Sequence, residues 1–165
     1  MMKEKDLSSL DGKVAIVTGP GRGLGATLTH RLAQYGAEIV IAEIDEQGVD
    51  NVQKRISDIG GKSHFIKADA TNSRSVQATA DEAKKSLGDV DTLVNKAGIS
   101  VRGPAENLKE EDWDKVLDIN RKGQFLCAQA AGRVMIQQKS GNIINIASAV
   151  GQRGLFHPYD LALPY

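Results

Sequence analysis

Short β-branched apolar runs, each followed by a turn and then a stretch of helical period, constrain this chain more than any other feature. Val14-Ala15-Ile16-Val17 opens the pattern, and its length and branching suit a strand buried on both faces. Leu24, Leu28, Leu32 and Tyr35 then fall on one helical face, with Gly36 as a stop. Further strands are predicted over 38–42, 63–68, 90–94 and 141–147. Between them lie helical stripes: Val49, Val52, Ile56 and Ile59; then Val76, Ala80, Ala83 and Leu87, with Asn72 or Ser73 as N-cap; then a longer helix over about 109–138. Trp113 and Cys127 are predicted core residues of that last helix. Strand–helix alternation of this kind predicts a doubly wound parallel sheet of five strands with helices on both faces. The whole of 1–165 is expected to be a single domain, with residues 1–10 as a loose leader.

Charge and cysteine content exclude several function classes. Lys+Arg and Asp+Glu both number 21, so there is no basic excess of the kind a nucleic-acid-binding module shows. Cys127 is the single cysteine, and His30, His64 and His157 have no metal-ligand spacing, so no metal site is expected. No apolar core of a signal peptide follows Met1, and no run nears the ~18 apolar residues of a bilayer span. A cytoplasmic protein with no membrane partner is the expectation.

In an open parallel sheet, ligands bind beyond the carboxyl ends of the strands. After the first strand stand Gly19-Pro20-Gly21-Arg22-Gly23-Leu24-Gly25; after the second, Glu43; after the third, Asp69; after the fourth, Asn95-Lys96-Ala97-Gly98; after the fifth, Ser148. A phosphate needs backbone N–H donors at a helix start with no side chain in the way, which favours glycine. The spacing is Gly19-x-x-x-Gly23-x-Gly25, and no Lys-Ser/Thr follows, which argues against a triphosphate loop. A turn kept glycine-rich for tight packing is the other reading of the same residues. Glu43 stands close to the ~20-residue spacing at which an acid accepts from the ribose hydroxyls, which favours NAD over NADP. Arg22 could pair with a 2′-phosphate, so NADP stays possible. Glu43 also opens a run with Asp45 and Glu46 and could be a solvated acid.

With these residues in place the chain resembles the short-chain dehydrogenase/reductase family over nearly its whole length. Thr18-Gly19-Pro20-Gly21-Arg22-Gly23-Leu24-Gly25 is similar to the family's Thr-Gly-x-x-x-Gly-x-Gly cofactor loop. Asp69 resembles the acid that contacts adenine, Asn95-Lys96-Ala97-Gly98 the Asn-Asn-Ala-Gly motif, Asn120 the active-site asparagine, and Ser148 the catalytic serine. The resemblance implies a Rossmann-type fold, an NAD(P) cofactor, a small-molecule alcohol or ketone substrate, and homo-oligomers formed in part through the helix at about 109–138. It implies that Ser148 hydrogen-bonds the substrate oxygen, that Asn120 anchors a water, and that a Tyr-x-x-x-Lys pair moves the proton.

Two departures accompany the likeness. Lys96 replaces the second Asn of the Asn-Asn-Ala-Gly motif. Tyr159 is followed four places on by Leu163, and Tyr165, the better match to the family tyrosine, is the final residue given. A tyrosine with its usual pKa of ~10 is a poor base at neutral pH, and a nearby ammonium is what makes the phenolate accessible. The expectation is therefore a C-terminally shortened oxidoreductase whose 165 residues alone are inactive or nearly so. A dinucleotide-binding fragment without turnover is the alternative, and an interaction module without cofactor fits the motifs least. The fifth strand is expected to expose Ile143, Ile144 and Ile146 on an aggregation-prone edge.

Overall fold

A computed structural model of the chain describes residues 8–101 and 103–148. Five strands, β1 (Val14–Thr18), β2 (Glu38–Glu43), β3 (Ser63–Lys67), β4 (Thr92–Asn95) and β5 (Asn142–Asn145), form one parallel sheet in the order β3-β2-β1-β4-β5. Helices α1 (Gly23–Gln34), α2 (Val49–Ser57), α3 (Ser73–Leu87), α4 (Glu110–Leu117) and α5 (Gly123–Gln138) connect them. This is the doubly wound, Rossmann-like arrangement that the alternation predicts.

The strand period of two divides the interior into two cores. Val14, Ile16, Val40, Ala42 and Leu93 face α3 and α5 and pack with Val76, Ala80, Ala83, Cys127 and Val134. Ala15, Val17, Ile39, Ile41 and Val94 face α1 and α2 and pack with Ala26, Ala33, Val52 and Ile56. Each fully buried Ile, Leu or Val contributes roughly 1.5–3 kcal/mol of transfer free energy. The central strands β1 and β2 therefore carry most of the drive, and the edge strands β3 and β5 are less buried. Leu10 packs partly against the second core, and its N–H donates to Tyr35 O at 2.6 Å.

Four expectations shift. The predicted leucine face of α1 is only half used. Leu28 and Leu32 pack at the margin, Leu24 and Tyr35 stand in solvent, and the buried residues are Gly25, Ala26, Thr29 and Ala33. The physical reason is the Gly19–Pro20 turn beneath the helix: a Cβ on Gly25 would lie 2.5 Å from Gly19 O, so only small residues let α1 seat here. Ile59 lies past the end of α2 and is exposed, because the chain unwinds through Gly60 (φ +74) and Gly61, whose N–H returns to Ile56 O at 3.0 Å. The single helix predicted over 109–138 is two helices joined by a wide π-turn at Asp118–Lys122. Trp113 is 41% exposed rather than core, since α4 buries only Val116 and packs chiefly on the π-turn among the described residues.

Asn72 caps α3 as expected, accepting from Arg74 N and Ser75 N at 3.0 and 3.1 Å. At the other end of the molecule Gln138 ties α5 to β4. Its Nε2 donates to Val90 O at 2.7 Å, and Val90 N–H donates back to Oε1 at 3.3 Å. Asp91 aligns β1 against β4 by accepting from Val14 N–H at 2.9 Å and from Lys13 Nζ at 2.8 Å. β5 lies at the sheet edge, and Ile143, Ile144 and Ile146 are 36–40% exposed there, as expected. No described helix is long and apolar enough to cross a membrane.

Lys139 ends α5 in the left-handed region at φ 57, where a side chain costs about 1–2 kcal/mol and glycine does not. Glycine adds unfolded-state entropy of roughly 0.5–1 kcal/mol, so Lys139→Gly is expected to stabilise the chain by about 0.5–1 kcal/mol in denaturant unfolding. Burial pushes the Cys127 thiol up to about 11. Below that value it stays protonated in the folded chain, so alkylation at pH 8 is expected to be on the order of a hundredfold slower than in denaturant.

Candidate functional site

The strand order changes direction at β1: β2 leads away on one side and β4 on the other. The loops beyond the carboxyl ends of β1, β2 and β4 frame the crevice that such a reversal creates in a parallel sheet, and the chain brings most of the predicted residues to it.

Gly19 leaves β1 with φ +68, and a Cβ there would stand 2.8 Å from Ala97 Cα. The turn after β1 thus lies directly against the turn after β4, which glycine alone permits. Thr18 secures the contact: its Oγ1 accepts from Lys96 N–H at 3.0 Å and Ala97 N–H at 3.1 Å. Gly21 faces the other wall. Its N–H donates to Glu43 Oε2 at 3.1 Å, and a Cβ on it would meet that oxygen at 3.2 Å and Gln47 O at 3.3 Å. The second Glu43 oxygen accepts from Ile44 N–H at 3.0 Å. Glu43 is therefore not a loosely solvated acid: both oxygens are held by backbone at the rim of the glycine turn.

Gly23 (φ +56) opens α1 with nothing within 4 Å of its Cβ position, so this side of the turn is clear. Arg22, in extended conformation, precedes it, and no side chain caps the helix. The first backward bond is Ala26 N–H to Arg22 O at 3.3 Å, which leaves the earlier amides of α1 without an intrahelical acceptor. Leu24 beside them is 79% exposed. A narrow cradle of free amides, walled by Glu43 on one side and Ala97 on the other, suits an anion and a sugar edge better than a bulky apolar group.

Past β3, Asp69 is half-buried and rigidly placed. Its Oδ1 accepts from Thr71 N–H at 2.9 Å and Thr71 Oγ1 at 2.7 Å, and its own N–H donates to Ser75 Oγ at 2.9 Å. Oδ2 has no hydrogen bond among the described residues.

Two predicted residues do internal work. Asn95 is buried, and its Nδ2 donates to Gln124 O at 3.2 Å and Asn145 Oδ1 at 2.9 Å, joining β4 to α5 and β5. Asn120, buried in the π-turn, accepts from Ile99 N–H at 2.8 Å and donates to Ile99 O at 2.9 Å. It thereby fixes the Lys96–Ile99 loop over the crevice. Neither amide is presented to solvent. Gly98 is exposed on that loop, and Ser148 is half-buried beyond β5. Tyr159 and Tyr165 lie outside the described residues.

Gln124, Asn145, Ile99 and the placement of Lys96 escape the sequence reading. Asn145 was within reach of it, because Thr92-Leu93-Val94-Asn95 and Asn142-Ile143-Ile144-Asn145 align residue for residue as paired strands. A cleft of about 580 Å³ lies at the opposite end of the sheet, lined by Asp11, Gly36, Glu38, Gly60 and Lys62 among others. It holds neither free helix amides nor a nucleophile–base pair, so the strand-end crevice is the better site. No group of three or more His, Cys, Asp or Glu among the described residues could hold a metal ion.

The short chain dehydrogenase model matches residues 13–159. The chain is 39% identical over 139 residues to D-threitol dehydrogenase of Mycolicibacterium smegmatis, covering 84% of this chain and 54% of that one. It is 37% identical over 147 residues to gluconate 5-dehydrogenase of Gluconobacter oxydans, covering 89% and 57%. Among solved structures, a short-chain type dehydrogenase/reductase from Mycobacterium marinum superposes with a TM-score of 0.90 at 33% identity, covering 94% and 63%. An NAD+-bound xylitol dehydrogenase does so with a TM-score of 0.85 at 31% identity, covering 88% and 56%. The chain thus spans a little over half the length of these relatives. The family match over residues 13–159, the extended sequence identity and the close superposition agree with the glycine turn at the strand ends: the chain belongs to the short chain dehydrogenase family.

Proposed function

We propose that the crevice binds a nicotinamide dinucleotide and that the protein is an oxidoreductase interconverting an alcohol and a ketone on a small molecule. The observation that carries this reading is the Gly19–Gly25 turn, held on one side by Glu43 and on the other by Ala97. The free amides at Gly23, Leu24 and Gly25 would take the diphosphate, and the open Cβ side of Gly23 leaves it room. Glu43 would accept from the adenosine ribose, Asp69 through Oδ2 from the adenine amine, and Thr18, Asn95, Ala97 and Gly98 would form or support the nicotinamide end. When bound, the dinucleotide supplies hydride transfer to or from the substrate carbon.

The chain's own residues handle position and proton. Ser148 would donate to the substrate oxygen, and Asn120, fixed on Ile99, would hold the loop above it. Tyr165 would exchange the proton. Relatives named for threitol and gluconate support a small polyhydroxylated substrate. Self-association through α5, where Phe125 and Ile136 stand in solvent, belongs to the same reading.

NAD is favoured over NADP because Glu43 is held in place by two backbone N–H groups and would meet a 2′-phosphate with like charge. Arg22 keeps NADP possible. Calorimetric titration is expected to give heat with NADH and less with NADPH. No heat with either at millimolar ligand, from folded chain, overturns the reading. In Glu43→Gln the ratio of the two affinities is expected to move toward NADPH by about tenfold, the equivalent of about 1.4 kcal/mol.

These 165 residues place no lysine four positions after a tyrosine, and Tyr159 is followed by Leu163. A phenol without that ammonium titrates too high to serve well at neutral pH. By themselves the 165 residues are expected to bind cofactor yet show little or no alcohol-dependent NADH formation. Sustained turnover at ordinary enzyme rates, on the order of 1 s⁻¹ or more, would contradict this.

A further inference from the structure

One cation lies against the glycine turn and has no assigned task. Lys96 follows β4, and its N–H is held by Thr18 Oγ1 at 3.0 Å. Its side chain folds back onto α1, placing Cδ 3.1 Å from the point where a Cβ on Gly25 would stand. That same point is 2.5 Å from Gly19 O and 3.0 Å from Pro20 Cα. The stem of Lys96 therefore fills the seam between the glycine turn and the first turn of α1, with the ammonium two bonds further on, about 2.5 Å.

Lys13, Lys67, Lys84 and Lys122 each pair with a carboxylate. The Lys96 ammonium has no such partner among the described residues. The amino end of α1, within reach of this cation, carries the positive pole of the helix dipole and repels it. An anion bound at that end satisfies both charges together. We infer that Lys96 is a binding residue for the diphosphate of the dinucleotide, supplying a positive charge where an asparagine would supply none. The inference rests on the dinucleotide reading above, and it gives this chain a stronger, more salt-sensitive hold on the diphosphate.

The test compares the native chain with Lys96→Met and Lys96→Arg by calorimetry at low and high salt, using NADH, ADP-ribose and adenosine. Lys96→Met is expected to weaken NADH and ADP-ribose about three- to tenfold, the order of one half-exposed charge-assisted contact. It should flatten their salt dependence and leave adenosine, which has no phosphate, unchanged. Lys96→Arg should retain native affinity. Without ligand, Lys96→Met should unfold at the same or a higher denaturant concentration, since a repulsion has been removed. Native affinity and salt dependence in Lys96→Met overturn the inference while leaving the dinucleotide site intact. Equal weakening of adenosine with a lower unfolding midpoint also overturns it, marking Lys96 as packing only. If the native chain binds neither NADH nor NADPH, the dinucleotide reading falls and this one with it.

Discussion

The contact between the ends of β1 and β4 governs the geometry of the loops at that end of the sheet. Gly19 comes so close to Ala97 that a single methyl group would force the two turns apart. The Thr18 hydroxyl holds them together by receiving two consecutive amides from the β4 turn. These are ordinary hydrogen bonds, each worth on the order of 1 kcal/mol net. Their importance is geometric. They set the width of the crevice, the start of α1 and the direction in which Lys96 leaves the sheet. The long-range pairing of β1 with β4 thus controls local geometry in a turn encoded almost entirely by glycine.

The fold was legible in the sequence because its strongest signal is also its strongest energy. Val14–Val17 and Ile39–Ala42 are apolar and β-branched because both faces of a central parallel strand are covered. The positions that misled are those where the amphipathic pattern yields to a close approach. On α1 the leucines mark an apolar face, yet Ala26, Thr29 and Ala33 make the contact because the helix must sit low over Gly19 and Pro20. Trp113 followed helical spacing correctly, but no described element covers it. The π-turn was invisible because nothing in the spacing of 109–138 announces one additional residue in a helical turn.

At the site the residue types were legible and their connections were not. Glu43 could be read as a candidate ribose acceptor by its position after β2, whereas its hold on Gly21 N–H required the fold. Asn95 and Asn120 read as motif residues. The Asn95 Nδ2 is committed to Gln124 O and Asn145 Oδ1, and Asn120 to both backbone groups of Ile99. Pairings between residues this far apart in the chain leave no local signature, since they depend on which strands become neighbours.

The small-residue face of α1 has a mechanical consequence. A helix seated on alanine, threonine and glycine has no compressible side chains between its backbone and the sheet, so it cannot absorb a change in volume by repacking. Enlarging Ala26, Thr29 or Ala33 would tilt the rod as a unit, and its leading amides would swing out of line with β1. Affinity for the proposed dinucleotide is therefore adjustable from behind, through Thr29 and Ala33, which lie more than one helical turn from those amides.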